Sequence, residues 1–179
     1  FRPWDRWTYV RLRRANALWL DRWEAKDPAT ATSSEPNYGR VFRQLRAQHK
    51  HSVSASFAIM RDTEMVGHLS FAPILWGPTM QASAGYWVAE SSAGQGIAPV
   101  ALAKGIDHMI HGWGLHRIEV LVRPENSASL AVVHKVGLRS EGRRTGAVFS
   151  DGRWRDHDVF AVTAEDVPTP EMLTFSTFR

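Results

Sequence analysis

Ser83-Ala84-Gly85-Tyr86-Trp87-Val88-Ala89, followed by Glu90-Ser91-Ser92-Ala93-Gly94-Gln95-Gly96-Ile97-Ala98-Pro99, is the stretch that decides the fold. Tyr86, Trp87 and Val88 are residue types that fit a pleated, half-buried strand. Glu90 to Gly96 is small, polar and rich in glycine. From Pro99 the period turns helical, because Leu102, Ile106, Met109, Ile110 and Trp113 fall on one stripe. Proline suits the first turn of a helix, where its missing N–H costs nothing, and Gly112 and Gly114 mark the far end. The order is therefore strand, glycine turn, helix.

That order has a chemical consequence. A helix start leaves about four backbone N–H groups without a partner, and the aligned peptide dipoles add roughly half a positive charge there. Glycines let the backbone approach a ligand closely and take positive φ. Together they make a site for an anion such as a phosphate. A short glycine motif is also read as no more than a tight turn. No Lys-Ser or Lys-Thr follows Gly96, so this is not a nucleotide-binding P-loop. A dinucleotide fingerprint would need its third glycine where Pro99 stands, and the next strand carries its acid, Glu119, in mid-strand.

The flanking segments read as follows. A helix capped by Asp5 is expected from about Arg6 to Trp23. Asp27 to Pro36 is a loop, and Tyr38 to Lys50 a second helix. Phe57 to Arg61 and Met65 to Phe71 are strands of a short hairpin, with irregular chain from Pro73 to Gln81. Arg117 to Val122 is a strand, and Ser127 to Val136 a short helix stopped by Gly137. Strands near Gly142 to Phe149 and Trp154 to Val162 join at Ser150-Asp151-Gly152. The chain reads as one domain over residues 1–167 with a C-terminal tail over 168–179, loosely held from Val167 onward.

Composition bounds the function. The 179 residues are 44% hydrophobic and 22% charged, as in globular domains. With no cysteine, disulfides, Cys-ligated zinc and a thiol nucleophile are excluded. No apolar run nears the roughly 18 residues of a membrane helix, so a cytoplasmic protein without a membrane partner is expected. The formal charge is +4 and the isoelectric point about 9.8, which favours an anionic ligand. The arginines are scattered rather than blocked, so direct nucleic-acid binding is not expected. The histidines pair with no carboxylates at ligand spacing, and no metal is expected.

Several motifs now converge. Gly94-Gln95-Gly96-Ile97-Ala98 resembles the coenzyme-binding motif of the GNAT acyltransferase superfamily, with Gly96 and Ala98 at its small positions and Ala93 where Gln or Arg is usual. Asn126-Ser127-Ala128-Ser129, then Lys135-Val136-Gly137-Leu138 and Glu141-Gly142, resembles the corresponding stretch of the RimJ/RimL-type N-terminal acetyltransferases, as does Asp151 to His157. Leu12 to Leu20, with Trp23 and Glu24, resembles the family's first helix, and Phe1-Arg2-Pro3 the end of its first strand, most of which would precede this sequence. The resemblance implies a mixed α/β (α+β) fold with a central, largely antiparallel sheet of six to seven strands flanked by helices.

It also implies acetyl-coenzyme A as acyl donor, held by Val88, Gly94, Gln95, Gly96, Ile97, Ala98, Asn126 and Ser129. The acceptor would be a primary amine, first of all the α-amino group of a protein, ribosomal by resemblance. A free α-amine titrates at about 7.7–8.0, so exposing its lone pair costs only about 1 kcal/mol at neutral pH. Ser129 is the candidate acid for the leaving thiolate, and Asn126 a contact for the pantetheine arm; both are equally read as helix-capping residues. Glu90 and Glu119 are the candidate bases. Glu24 and Trp23 are candidates for binding the acceptor, and Glu24 is a third candidate base. A small amine, a lysine, a succinyl donor, a non-catalytic acyl-coenzyme A-binding role and a homodimer all stay open.

Overall fold

The computed structural model describes residues 5–29 and 38–169. The resemblance at Phe1 to Pro3, most of the Asp27–Pro36 loop and the tail from residue 170 lie outside the described residues. The element order is α1 (Asp5–Ala15), α2 (Ala17–Asp21), α3 (Tyr38–Lys50), β1 (Ala55–Arg61), β2 (Glu64–Leu75), β3 (Gln81–Val88), α4 (Ile97–Asp107), β4 (Arg117–Val122), α5 (Ser127–Val136), β5 (Arg139–Ser150) and β6 (Arg153–Thr163). Among the described residues six strands form one sheet in the order β1-β2-β3-β4-β6-β5, antiparallel except for the parallel β3–β4 pair.

The β3–β4 pair positions the site. Its ladder runs only from Gln81↔Arg117 to Ala84↔Val120. Beyond Ala84, β3 stays with β2 as far as Gly67↔Val88, while β4 stays with β6 as far as Val122↔Asp158. The two parallel strands therefore part company, and a gap opens at their C-terminal ends, the place where ligands enter open α/β sheets.

Two helical layers sandwich the sheet. On one face α4 and α5 cover Leu69, Phe71, Ile118 and Val120, with Leu102, Ile106 and Val133 fully buried between; each such side chain contributes roughly 1.5–3 kcal/mol. Gly105 lets α4 lie close, since a Cβ there would stand 2.4 Å from Leu69 Cδ2. On the other face α1 and α3 pack through Tyr9 and Phe42 onto Met65, Ala58 and Trp87. α4 ends in a π-helical turn, His108–Gly112.

Three expectations are corrected. The first helix is two helices, broken at Asn16 (φ −112°, ψ 17°). Asn16 spends its amide on other bonds: Nδ2 donates to the Leu12 carbonyl at 2.9 Å, and Oδ1 accepts from the Glu90 N–H at 2.9 Å. Asp5 lies within the first turn of α1. The stretch after Phe71 is not wholly irregular: β2 runs on to Leu75 and absorbs Pro73 at a register shift, where no ladder N–H is needed. The tail does not loosen at Val167, which is fully buried in the main core with its N–H on the Ala164 carbonyl.

Candidate active site

A cleft of about 900 Å³ opens at the parting of β3 and β4. One wall is the end of α2 and the residues after it, with Trp19, Trp23 and Glu24. The floor is the end of β3 from Tyr86 to Val88, and then Glu90. The far wall is the glycine turn with the start of α4, facing the start of α5 at Asn126 to Ser129.

The turn is built as an anion cradle. Gly94 and Gly96 both take left-handed φ, 73° and 76°, and Gly96 is the N-cap of α4 without any side-chain cap. Among the described residues, the backbone N–H groups of residues 94–98 meet no backbone acceptor outside the helix, and Pro99 has no N–H to satisfy, so the helix start keeps its donors for a ligand. A Cβ on Gly94 would meet nothing within 4 Å, which leaves open space above the backbone. Gln95 turns its side chain away from the cleft: Oε1 accepts from Arg61 at 2.9 Å and Nε2 donates to the Ser91 carbonyl at 2.8 Å. Gln95, expected among the coenzyme contacts, lines a different groove and not this cleft.

At the start of α5, Asn126 Oδ1 accepts from the Ser129 N–H at 3.1 Å and so caps the helix. This leaves the Ser129 hydroxyl free to point across the gap, where its Oγ lies 2.8 Å from the Tyr86 hydroxyl. Burial pushes the Tyr86 phenol up to about 12, against the smaller opposing effect of the Ser129 bond. Tyr86 is thus a protonated donor throughout the neutral range. A strand residue and a helix residue 43 positions apart form this pair, and sequence reading did not find it.

On the opposite wall, buried Arg13 sits 5.1 Å from the Tyr38 ring and 5.2 Å from the Trp87 ring, and its guanidinium holds Glu24 at 2.6 Å. Arg123, equally buried, donates to the Arg22 carbonyl at 2.7 Å and lies 5.0 Å over the Trp23 ring. These two arginines fix the chain that carries Trp23 and Glu24. Sequence reading missed both, because what marks them is partners far away in the chain.

Val88, Gly94, Gly96, Ile97, Ala98, Asn126, Ser129, Glu90, Glu24 and Trp23 therefore share one cleft. Glu119 does not line it. Its buried carboxylate accepts from Arg117 at 2.8 Å and from Arg144 at 3.1 Å, and Arg117 is shared with Glu141. Two guanidinium groups occupy the oxygens that a base would need, so Glu119 belongs to the ion cluster that ties β4 to β5. Among the described residues no group of three or more His, Asp or Glu side chains could hold a metal ion. None of the described helices is long and apolar enough to cross a membrane.

Residues 1–139 match the acetyltransferase (GNAT) domain family, and the chain belongs to it: this is an acetyl-coenzyme A-dependent N-acetyltransferase. Among solved structures, the chain is similar to Mycobacterium smegmatis RimJ in complex with CoA-disulfide, with a TM-score of 0.86 and 38% identity over 95% of this chain and 82% of that one. It is similar also to the [Ribosomal protein uS5]-alanine N-acetyltransferase of Escherichia coli, 25% identical over 90% of this chain and 84% of that protein. With the probable N-acetyltransferase YjcK of Bacillus subtilis it shares 34% identity over 59% of this chain, a match that spans 58% of that protein.

Proposed function

We propose that this enzyme acetylates the α-amino group of a protein, a ribosomal protein being the first candidate. The observation that supports the reading is a single cleft lined on one side by the glycine turn before α4 and on the other by Trp23 and Glu24. Names of relatives point the same way, since the E. coli relative is named for the alanine of ribosomal protein uS5.

The backbone N–H groups of residues 94–98 take the coenzyme's pyrophosphate. The unpaired edge of β3 up to Val88 lies along the gap between the strands and suits the amide-bearing pantetheine arm. Asn126 keeps the start of α5 rigid. The acceptor amine, neutral at modest cost near pH 7–8, forms the new C–N bond with the thioester carbonyl carbon as the C–S bond breaks. Ser129 gives its hydroxyl proton to the departing sulfur, the Tyr86 hydroxyl at 2.8 Å returns one, and water in the open cleft restores the proton to Tyr86. Glu90, exposed at the cleft floor with its N–H held by Asn16, receives the proton lost by the ammonium through water. Glu24 attracts the incoming amine.

Mass spectrometry of lysine-free peptides beginning with Ala, Ser or Thr, after incubation with acetyl-coenzyme A, tests this. Acetylation confined to the amino terminus is expected. Acetylation only of a small polyamine or of lysine side chains, with every peptide terminus left free, would overturn it.

A further inference from the structure

The arginines that are scattered along the chain converge in space. α1 and α3 together hold seven arginines and one lysine against a single acid, Asp5. The whole chain has 22 basic and 18 acidic side chains, which leaves 14 basic and 17 acidic residues everywhere else. The positive charge of this protein therefore comes from one helical layer, and the remainder is slightly acidic. Among the described residues Arg11, Arg14, Arg43 and Arg46 are exposed and make no ion pair.

The layer is also apolar in places. Trp7 is 75% exposed and Leu18 96%. Trp7, Arg11 and Arg14 follow one another at four and three residues, which puts them on one stripe of α1, and Leu18 stands on α2 just past the break at Asn16. α2, which follows α1 after the break, reaches the cleft, because Leu18 and Trp19 line its acceptor wall. Exposed arginines beside large apolar side chains, on the layer whose next helix reaches the mouth of the cleft, are complementary to a chain that carries acidic and apolar residues.

We propose that the α1/α3 layer docks an acidic segment of the acceptor polypeptide, carried just beyond the amine that enters the cleft; this rests on the reading that the acceptor is a polypeptide. From Trp7 to Arg14 is about 10 Å along α1, a span that about three residues of extended chain cover. The recognised segment is therefore short and begins a few residues after the acceptor amine. RNA is the weaker occupant: the layer offers Trp7 and aliphatic Leu18 rather than successive aromatic platforms on which bases stack, and the acidic remainder of the chain opposes a long polyanion.

The test uses peptides that share their first four residues and continue in a Glu/Leu, Gln/Leu or Lys/Leu tail. The Glu/Leu tail should raise kcat/KM about tenfold over the Gln/Leu tail, and the advantage should shrink as salt rises from about 50 to about 300 mM. The variant R11E/R14E/R43E/R46E should erase that advantage yet turn over a tripeptide, too short to reach the layer, at the wild-type rate; the milder all-Gln variant serves if the reversal does not fold. Equal turnover of Glu and Gln tails, or a preference that survives the substitutions, would overturn the proposal. So would a single-stranded RNA oligomer that displaces a fluorescent Glu/Leu peptide when an unlabelled copy of the peptide does not. Anisotropy of the same peptide with a blocked amino terminus keeps the two readings separate. If no terminus is acetylated but the blocked peptide binds through these arginines, the reaction assignment fails and the docking surface stands; if termini are acetylated without tail preference, the reverse holds.

Discussion

Ser129→Ala and Tyr86→Phe, alone and together, probe the proton path across the gap. Ser129→Ala removes the hydroxyl that lies 2.8 Å from Tyr86 Oη, and with it the acid for the departing sulfur. Loss of a positioned acid costs about 10²–10⁴ in rate; with water able to enter so open a cleft, about 10² in kcat is expected, or about 2.7 kcal/mol. Coenzyme affinity should hold within about twofold, because the cradle is backbone. The helix cap also survives, as it uses the Ser129 N–H and not its side chain. Tyr86→Phe takes away the group that reloads Ser129 and also its bond to the Ser129 carbonyl at 3.3 Å, so a drop of about tenfold in kcat is expected, with roughly 0.5–1.5 kcal/mol of stability per lost bond. If Tyr86 acts through Ser129, adding Tyr86→Phe to Ser129→Ala should change nothing further. Stopped-flow or colorimetric detection of the free thiol, with calorimetry for coenzyme binding, measures all four corners of the cycle. Rates that multiply, or a Ser129→Ala enzyme that loses affinity as much as kcat, would refute the assignment.

The cradle should tolerate no side chain at Gly94. Gly94→Ala costs about 1 kcal/mol in stability through its left-handed φ, yet calorimetry should show coenzyme binding weakened at least about tenfold. Arg123→Met removes the donor to the Arg22 carbonyl and the cation over Trp23; KM for the acceptor peptide should rise about tenfold with coenzyme affinity unchanged, at a stability cost of about 2 kcal/mol. His68 is pushed down to about 3 by burial and, to a smaller extent, by Arg13. An unfolded histidine takes its proton near pH 6.5, so the native state keeps this stability above that pH and loses it as pH falls towards about 3. The slope contributed by His68 is about 1.4 kcal/mol per pH unit. Urea melts at pH 7 and pH 5 should therefore differ more for the wild type than for His68→Gln, and equal differences would exclude His68 as the acid-sensitive group.

What could be read from the chain was local. The glycine turn before Pro99, the Asn126 cap and the Gly137 stop each signal themselves within a few residues, and they sit where that chemistry puts them. Trp23 and Glu24 were legible only through resemblance. Glu119 shows the limit: alternation with Ile118 and Val120 tells which side of β4 it faces, but not that Arg117 and Arg144 close over it. The break at Asn16 was hidden for the same reason, since an asparagine in a helical pattern gives no hint that its partner is the Glu90 N–H, 74 positions away. Arg13, Arg123 and Tyr86 gain their roles from tertiary partners, and nothing near them in sequence distinguishes them from surface arginines or a core tyrosine.

A crystal structure with acetyl-coenzyme A bound tests the central claim most directly. The pyrophosphate should lie on the backbone N–H groups of residues 94–98, the thioester sulfur beside Ser129 Oγ, and the acetyl group towards Trp23 and Glu24. A second groove, of about 520 Å³, runs between β1 and α4 past Arg61, Lys104 and the outer side of Gln95. Coenzyme bound in that groove, or a sulfur out of reach of Ser129, would contradict the account.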